Sequence, residues 1–556
     1  MKHETRLLLA LATSAAIFFV WYSLFPPQVE KKPVVEQDNV TVVDENRPEE
    51  NVSTPAKTTK PIADKQETVA VGRVIEIDTD VSRVWLSTRG GVLLGYELKD
   101  YKQSVKDHAA LRNLIAGDGG SQALFLGFKG FPYFDADKVY ALHSDEALEG
   151  GGRHIVLRWQ NSAVRIDKGF HFGGYKTGYG IDVDYTLTNL DDQIMVLTPF
   201  VQNKVMQKPL PKKQGGLLAK LKFEQPDLYG WYHYQNKDLT YDHNWQKFSG
   251  NVMSKGVEWA AVADRYFMFA LIPSLDLPVF TQFDRDGEFF VHTLKQAEVT
   301  VPPQAQVSGK FIAYVGPKKI AEMSVVNESL SQVIDYGWFS VLALPILWLM
   351  TFLHKFIPNW GLVIIALTFI VKMLLHPVNK KSMQGMKAMQ QLQPKMQEIK
   401  EKHPDDRQKQ QQAIMQLFRT HKVNPMGGCL PLLLQMPIYI VLYKVLWNAI
   451  ELYHAPFFWF YRDMSAPDPY FILPILLGVF MFLQQKLTPT ATADNMQKNM
   501  MLMMPVMFTV FMLFLPVGLV VYIFVNTVMS VVQQFMMKRE ISFKQLITGK
   551  WQPNGA

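Results

Sequence analysis

The sequence predicts a polytopic α-helical membrane protein with six transmembrane helices and a large all-β sandwich domain outside the bilayer. Three observations carry this. Apolar runs rich in Phe, Met and Leu occupy residues 7–25 and much of residues 338–536, and about 20 such residues cross a hydrocarbon core as a helix. Residues 69–316 instead alternate apolar and polar with period two, rich in β-branched and aromatic residues and broken by Gly-Gly and Asp-Gly turns, the pattern of an antiparallel sandwich. Lysine and arginine gather after His376 and in the tail, which fixes the cytosolic helix ends because positive residues in short loops stay inside. The chain of 556 residues is too long for one core, and its mean hydropathy near zero averages two unlike parts. The single cysteine, Cys429, excludes an intramolecular disulfide and a cysteine-built zinc site.

Residues 1–25 open with a short basic stretch followed by an apolar run that ends in bulky Trp21 and Tyr22. A cleavable signal would place small residues there, so the spacing predicts an uncleaved anchor with its start in the cytosol. Residues 26–68 carry Pro, Glu, Lys and Thr without periodicity, a disordered tether. The sandwich at 69–316 holds no catalytic motif. Its His154, His171, His233 and His243 are scattered without metal-ligand spacing, so no catalytic residue, metal or cofactor is expected.

Residues 317–358 read as an amphipathic and interfacial linker. Ile320, Met323, Val326, Leu330 and Val333 repeat at helical spacing and would suit a membrane surface. Trp338 to Pro358, interrupted by Pro345, is long enough to cross, but a crossing there would strand the basic residues after His376 on the outer face. The second span is therefore placed at 359–376. Residues 377–423 form a cytosolic helical hairpin broken at His403-Pro404-Asp405-Asp406, with an apolar seam including Met389, Leu392, Met396, Ile414 and Phe418. Spans three to six occupy 424–536, with a turn at Pro516-Val517-Gly518, and residues 537–556 form a basic cytosolic tail. Trp360 to Leu375 and Tyr470 to Gln484 are both short of about 20 residues, which predicts either local bilayer thinning or helices that continue past these bounds, through His376 or Lys486, with snorkelling side chains.

Polar stripes run along three spans. Thr368, Lys372 and His376 are spaced four apart, as are Gln435, Tyr439 and Tyr443, and Tyr522, Asn526, Ser530 and Gln534. Residues four apart share a helix face, and polar stripes in a bundle face its interior or a wet cavity. A charged lysine inside the membrane costs about 3 kcal/mol on insertion scales. The stripes therefore predict a polar cavity in the inner leaflet with one fixed positive charge. Interhelical hydrogen-bond glue is the plainer alternative.

The segments LTFIVKMLLHPV before the basic hairpin, and NPMGGCLPLLLQMPIYIVLY, FILPILLGVFMFLQQKLTP and LPVGLVVYIFVNTV after it, resemble the YidC/Oxa/Alb family of membrane-protein insertases. DTDVSRVWLSTRGG is similar to the start of that family's periplasmic domain. The resemblance covers the whole chain. It implies a five-helix insertase core in a bacterial inner membrane, with both termini cytosolic and the sandwich periplasmic, and a hydrophilic groove lined by Lys372, Thr368, Gln435, Tyr522, Asn526 and Ser530. The family's groove charge is usually arginine, and here it is Lys372; paired tyrosines are common near the sixth span, and here Ile523 follows Tyr522. The implied function is non-enzymatic insertion and chaperoning of inner-membrane proteins. The implied partners are nascent membrane proteins, the Sec translocon and its accessory subunits, membrane lipids, and the ribosome through the basic hairpin and tail, with no small-molecule substrate. The alternative is a small-solute transporter, since intramembrane charge also marks solute paths.

Overall fold

The computed structural model describes residues 72–105, 108–115, 120–130, 138–148, 151–206, 230–243, 248, 250, 252–273, 279–403, 406–421, 423, 430–458, 460–487 and 495–538. The expected anchor, the tether, Cys429 and most of the basic tail lie outside these residues.

Two antiparallel sheets of ten and nine strands form the β domain. Alternation sets their packing. In Arg153–Gln160 and Val164–Phe172 the buried Ile155, Leu157, Ile166 and Phe170 point to the core and Arg158, Asp167 and His171 point away, while Lys168, fully buried on the core side, donates to Gly90 O at 2.7 Å. Two strands break the alternation. Trp259–Ala263 and Phe267–Pro273 are buried at every position, because both of their faces are covered.

The linker contributes to that same core. Helix α1 (Ile320–Val326) ends at Asn327, whose side-chain oxygen accepts from Ser329 N at 2.9 Å and caps a 3-10 turn over Glu328–Val333. Met323, Leu330 and Val333 are buried in the sandwich cluster. The apolar face expected to meet lipid is thus spent on the β domain, whose hydrophobic core supplies a nearer partner.

Helix α2 (Ser340–His354) runs unbroken through Pro345, contrary to the expected interruption. Pro345 is the sixth residue of the helix, past its first turn, so the helix runs on with one donor to Val341 O missing. Trp338, Val341 and Trp348 are exposed, whereas Ala343 and Met350 are buried against the neighbouring helices. Helix α3 spans Trp360–Gln391, 32 residues with Pro377 inside. A helix of that length reaches about 48 Å. The helix thus continues past the expected end near His376, the second of the two alternatives for this segment, and the span and the start of the basic hairpin are one rod.

Helices α4 (Gln393–Lys402) and α5 (Arg407–Thr420) follow, seamed by Leu392, Met396 and Phe418. Lys395 Nζ lies 3.2 Å from His421 Nε2, which places the start of one against the end of the other. The remaining helices are α6 (Leu430–Asn448), α7 (Ile472–Leu487), α8 (Asn495–Met512) and α9 (Val517–Lys538). By length and composition, Gly337–His354, Trp360–Gln391 and Val517–Met536 are the described helices able to cross a membrane, with Ile472–Leu487 and Met503–Met512 apolar but shorter. That is three full-length candidates where six spans were expected, and one of them contains the segment assigned to the interface on charge.

The sandwich is docked on the helices through the loop after α6. Tyr453 donates to Lys102 O at 2.8 Å and packs edge-on to Phe267. Arg265 Nε donates to Trp447 O at 2.6 Å, with its guanidinium 3.8 Å from the indole centre.

Candidate functional site

Helices α3, α6 and α9 bring the polar stripes together. Lys372 is only 5% exposed, and its ammonium donates to Ser530 Oγ at 2.7 Å. Ser530 in turn donates to Asn526 O at 2.8 Å, and Asn526 Nδ2 donates to Tyr439 OH at 2.5 Å. Gln435 Nε2 donates to Tyr522 OH at 3.2 Å. The Tyr439 and Tyr522 rings meet edge to face at 5.9 Å and join the two halves.

The charge in this cluster is held by neutral groups. Among the described residues no carboxylate lies within ion-pair distance of Lys372. A buried ammonium hydrogen-bonded to a neutral hydroxyl is poorly suited to helix glue, because its charge is left uncompensated. Five of the six expected site residues take part in the polar contacts. Thr368 does not: it is fully buried, and its hydroxyl donates at 2.7 Å to Ile364 O one turn back. His376, next along the same stripe, is exposed. Four residues advance a helix by about 400°, so a stripe at that spacing drifts about 40° per step and leaves the interior within two.

Tyr439 is the residue missed as a site member. It is central to the cluster, and the signal for it was present in the Gln435, Tyr439, Tyr443 spacing. Tyr443 sits instead beside Trp447, ring centres 5.5 Å apart. Close backbone approach holds the surrounding bundle. A Cβ at Gly478 on α7 would meet Thr509 Oγ1 of α8 at 2.2 Å, and one at Gly518 on α9 would meet Leu452 Cδ1 at 3.1 Å. Small residues at such crossings let membrane helices pack tightly.

Comparison with known proteins covers both halves of the chain. The model of the 60Kd inner membrane protein family matches residues 352–545, and that of the YidC periplasmic domain matches residues 74–349. A membrane protein insertase YidC of Actinobacillus succinogenes is 35% identical over 99% of both chains. One from Haemophilus influenzae (strain PittEE) is 33% identical over 98% of this chain and 99% of its own. Among solved structures, an active YidC insertase with its first transmembrane domain resolved aligns over 83% of this chain and 92% of its own, at 18% identity and a TM-score of 0.37. The solute-transporter alternative draws no support from these relatives.

Proposed function

This chain belongs to the YidC family of membrane protein insertases, and from that premise we propose that it inserts nascent inner-membrane proteins through a hydrophilic groove built around Lys372. The observation that carries the proposal is a buried ammonium held by Ser530, itself bonded to Asn526, with no acidic partner among the described residues. A cation so placed is available to an acidic or strongly dipolar segment of a client. That segment enters the polar cluster from the cytosolic side, which shortens its path through hydrocarbon, while the client's apolar part leaves sideways into lipid. No bond is made or broken, so the activity is not enzymatic.

The same reading places six spans in the bacterial inner membrane, both termini in the cytosol and the sandwich in the periplasm. It puts α2 at the outer interface, with exposed Trp338 and Trp348 as aromatic anchors. The basic hairpin of α4 and α5 and the tail face the ribosome, whose phosphates attract lysine and arginine. The Sec translocon and its accessory subunits are assigned as partners for clients too large for the groove alone.

The test is reconstitution of the purified chain into liposomes with a radiolabelled single-span client bearing an acidic outer tail. Protease protection of the tail, dependent on the chain, is the expected result. Protection equal to that of protein-free liposomes refutes the proposal.

A further inference from the structure

Outside the polar cluster, the outer face of the nine-stranded sheet carries a second constellation. His154 on Arg153–Gln160 and His171 on Val164–Phe172 are direct cross-strand partners. Their imidazoles stack at 3.7 Å with an interplanar angle of 10°. Asp184, on Gly180–Asn189, lies opposite Gly169 in the register and reaches along the sheet to His171, with Oδ1 at 3.1 Å from Nε2. Gly169 makes the reach possible, since a Cβ there would meet Asp184 Oδ2 at 2.4 Å.

The neighbouring polar residues on this face are matched in pairs. Arg158 holds Asp167 at 2.5 Å, Lys310 holds Asp182 at 2.7 Å, and Tyr175 donates to Asp182 at 2.8 Å. The His154, His171, Asp184 group differs. Its two imidazoles are placed against each other, and His154 Nε2 is buried without a hydrogen-bond partner.

We infer that His154, His171 and Asp184 form a binding site for a borderline divalent cation of the Zn²⁺ type on the outer face of the β domain, a property separate from insertion. One ligand atom from each residue lies within 4.8 Å of the others. Two ligands on one tetrahedral zinc, at bonds of about 2.0–2.1 Å, are about 3.3 Å apart. The His171–Asp184 separation already matches that edge, and a modest splay of the stacked rings brings in His154. Two imidazoles and one carboxylate select zinc-like ions over Ca²⁺ and Mg²⁺, which take oxygen ligands. Water completes the shell, since His171 and Asp184 are both partly exposed. Glu146 is the cross-strand partner of His154 on its other side and adds a carboxylate nearby. The bound ion would staple three consecutive strands.

The experiment uses the full chain in detergent, purified without a polyhistidine tag and treated with chelator, and titrated with Zn²⁺ against a chromophoric indicator. One ion per chain, with a Kd of about a micromolar or tighter, is expected, with a rise in melting temperature that Ca²⁺ does not give. His154→Ala and Asp184→Asn should each weaken binding about tenfold or more, and His154→Ala/His171→Ala should abolish it. Co²⁺ should give the visible absorption of a low-symmetry site in the parent alone. Equal Zn²⁺ affinity in the double variant, or none tighter than about 100 µM in the parent, overturns the site and leaves a His–Asp contact beside a stacked imidazole. A metal-free melting temperature for Asp184→Asn equal to the parent's separates loss of a ligand from loss of fold.

Discussion

Replacing Lys372 by methionine separates an ammonium that serves clients from one that holds helices together. Methionine keeps most of the side chain's length and apolar stem, so little cavity is opened. Ser530 loses a donor to its oxygen but still donates to Asn526 O, so no buried donor is orphaned. Removing a charge that costs about 3 kcal/mol within a membrane helix should leave the melting temperature unchanged or raised. The effect on clients runs the other way. A client carboxylate about 6 Å from the ammonium gains about 3 kcal/mol at an effective dielectric of about 20, and under 1 kcal/mol as water raises the dielectric toward 80. If that energy is present in the rate-limiting state, Lys372→Met slows insertion of an acidic-tailed client by between about threefold and about a hundredfold. Lys372→Arg keeps the charge and should stay within about threefold of the parent, although its planar fork cannot reproduce the single bond to Ser530. The assay is initial insertion rate in liposomes for two clients that differ only in the charge of the translocated tail. Equal slowing of both clients would refute the electrostatic argument, as would a lowered melting temperature for Lys372→Met with insertion unchanged.

Gly478→Leu should separate α7 from α8, because even a Cβ meets Thr509 Oγ1 at 2.2 Å; the expected loss is about 2 kcal/mol or more of stability, read as a lower melting temperature in detergent. Removing residues 74–310 should leave small-client insertion intact only when Met323, Leu330 and Val333 are also made polar, since the deletion uncovers all three; aggregation of the simple deletion and recovery of the substituted one is the expected pair in size-exclusion chromatography. Buried His292, stacked on Phe283 at 4.6 Å, has its imidazole pushed down to about 3 by desolvation. The unfolded chain therefore binds the proton first, and the stability that neutral His292 contributes is present above about pH 6.5 and falls as pH drops toward 3, by up to about 1.4 kcal/mol per pH unit; His292→Leu should flatten that acid limb in thermal melts between pH 7 and 4.

What was legible in the sequence depended on whether a pattern was local. Period two marked the sandwich, and four-residue spacing marked Lys372, Asn526 and Ser530, because helix geometry places such residues on one face whatever they pack against. The same rule overreached at His376, where the drift of the stripe brings the residue out. It also stopped short of Tyr439, whose role depends on the distance between α6 and α9 rather than on either helix. Pro345 was weighted too heavily: it lies within a continuous helix, since among packed neighbours one lost hydrogen bond is tolerated. The helical spacing of the linker puts its apolar residues on one side, but periodicity does not say which apolar surface lies opposite, and Met323 found the sandwich. The histidines show the limit most sharply. His154 and His171 stand 17 residues apart, a separation no metal-ligand motif contains, yet a hairpin register makes them adjacent. Any pair of ligands on neighbouring antiparallel strands has a separation set by the length of the turn between them, so in a β domain the absence of motif spacing does not argue against a metal site; register has to be known first.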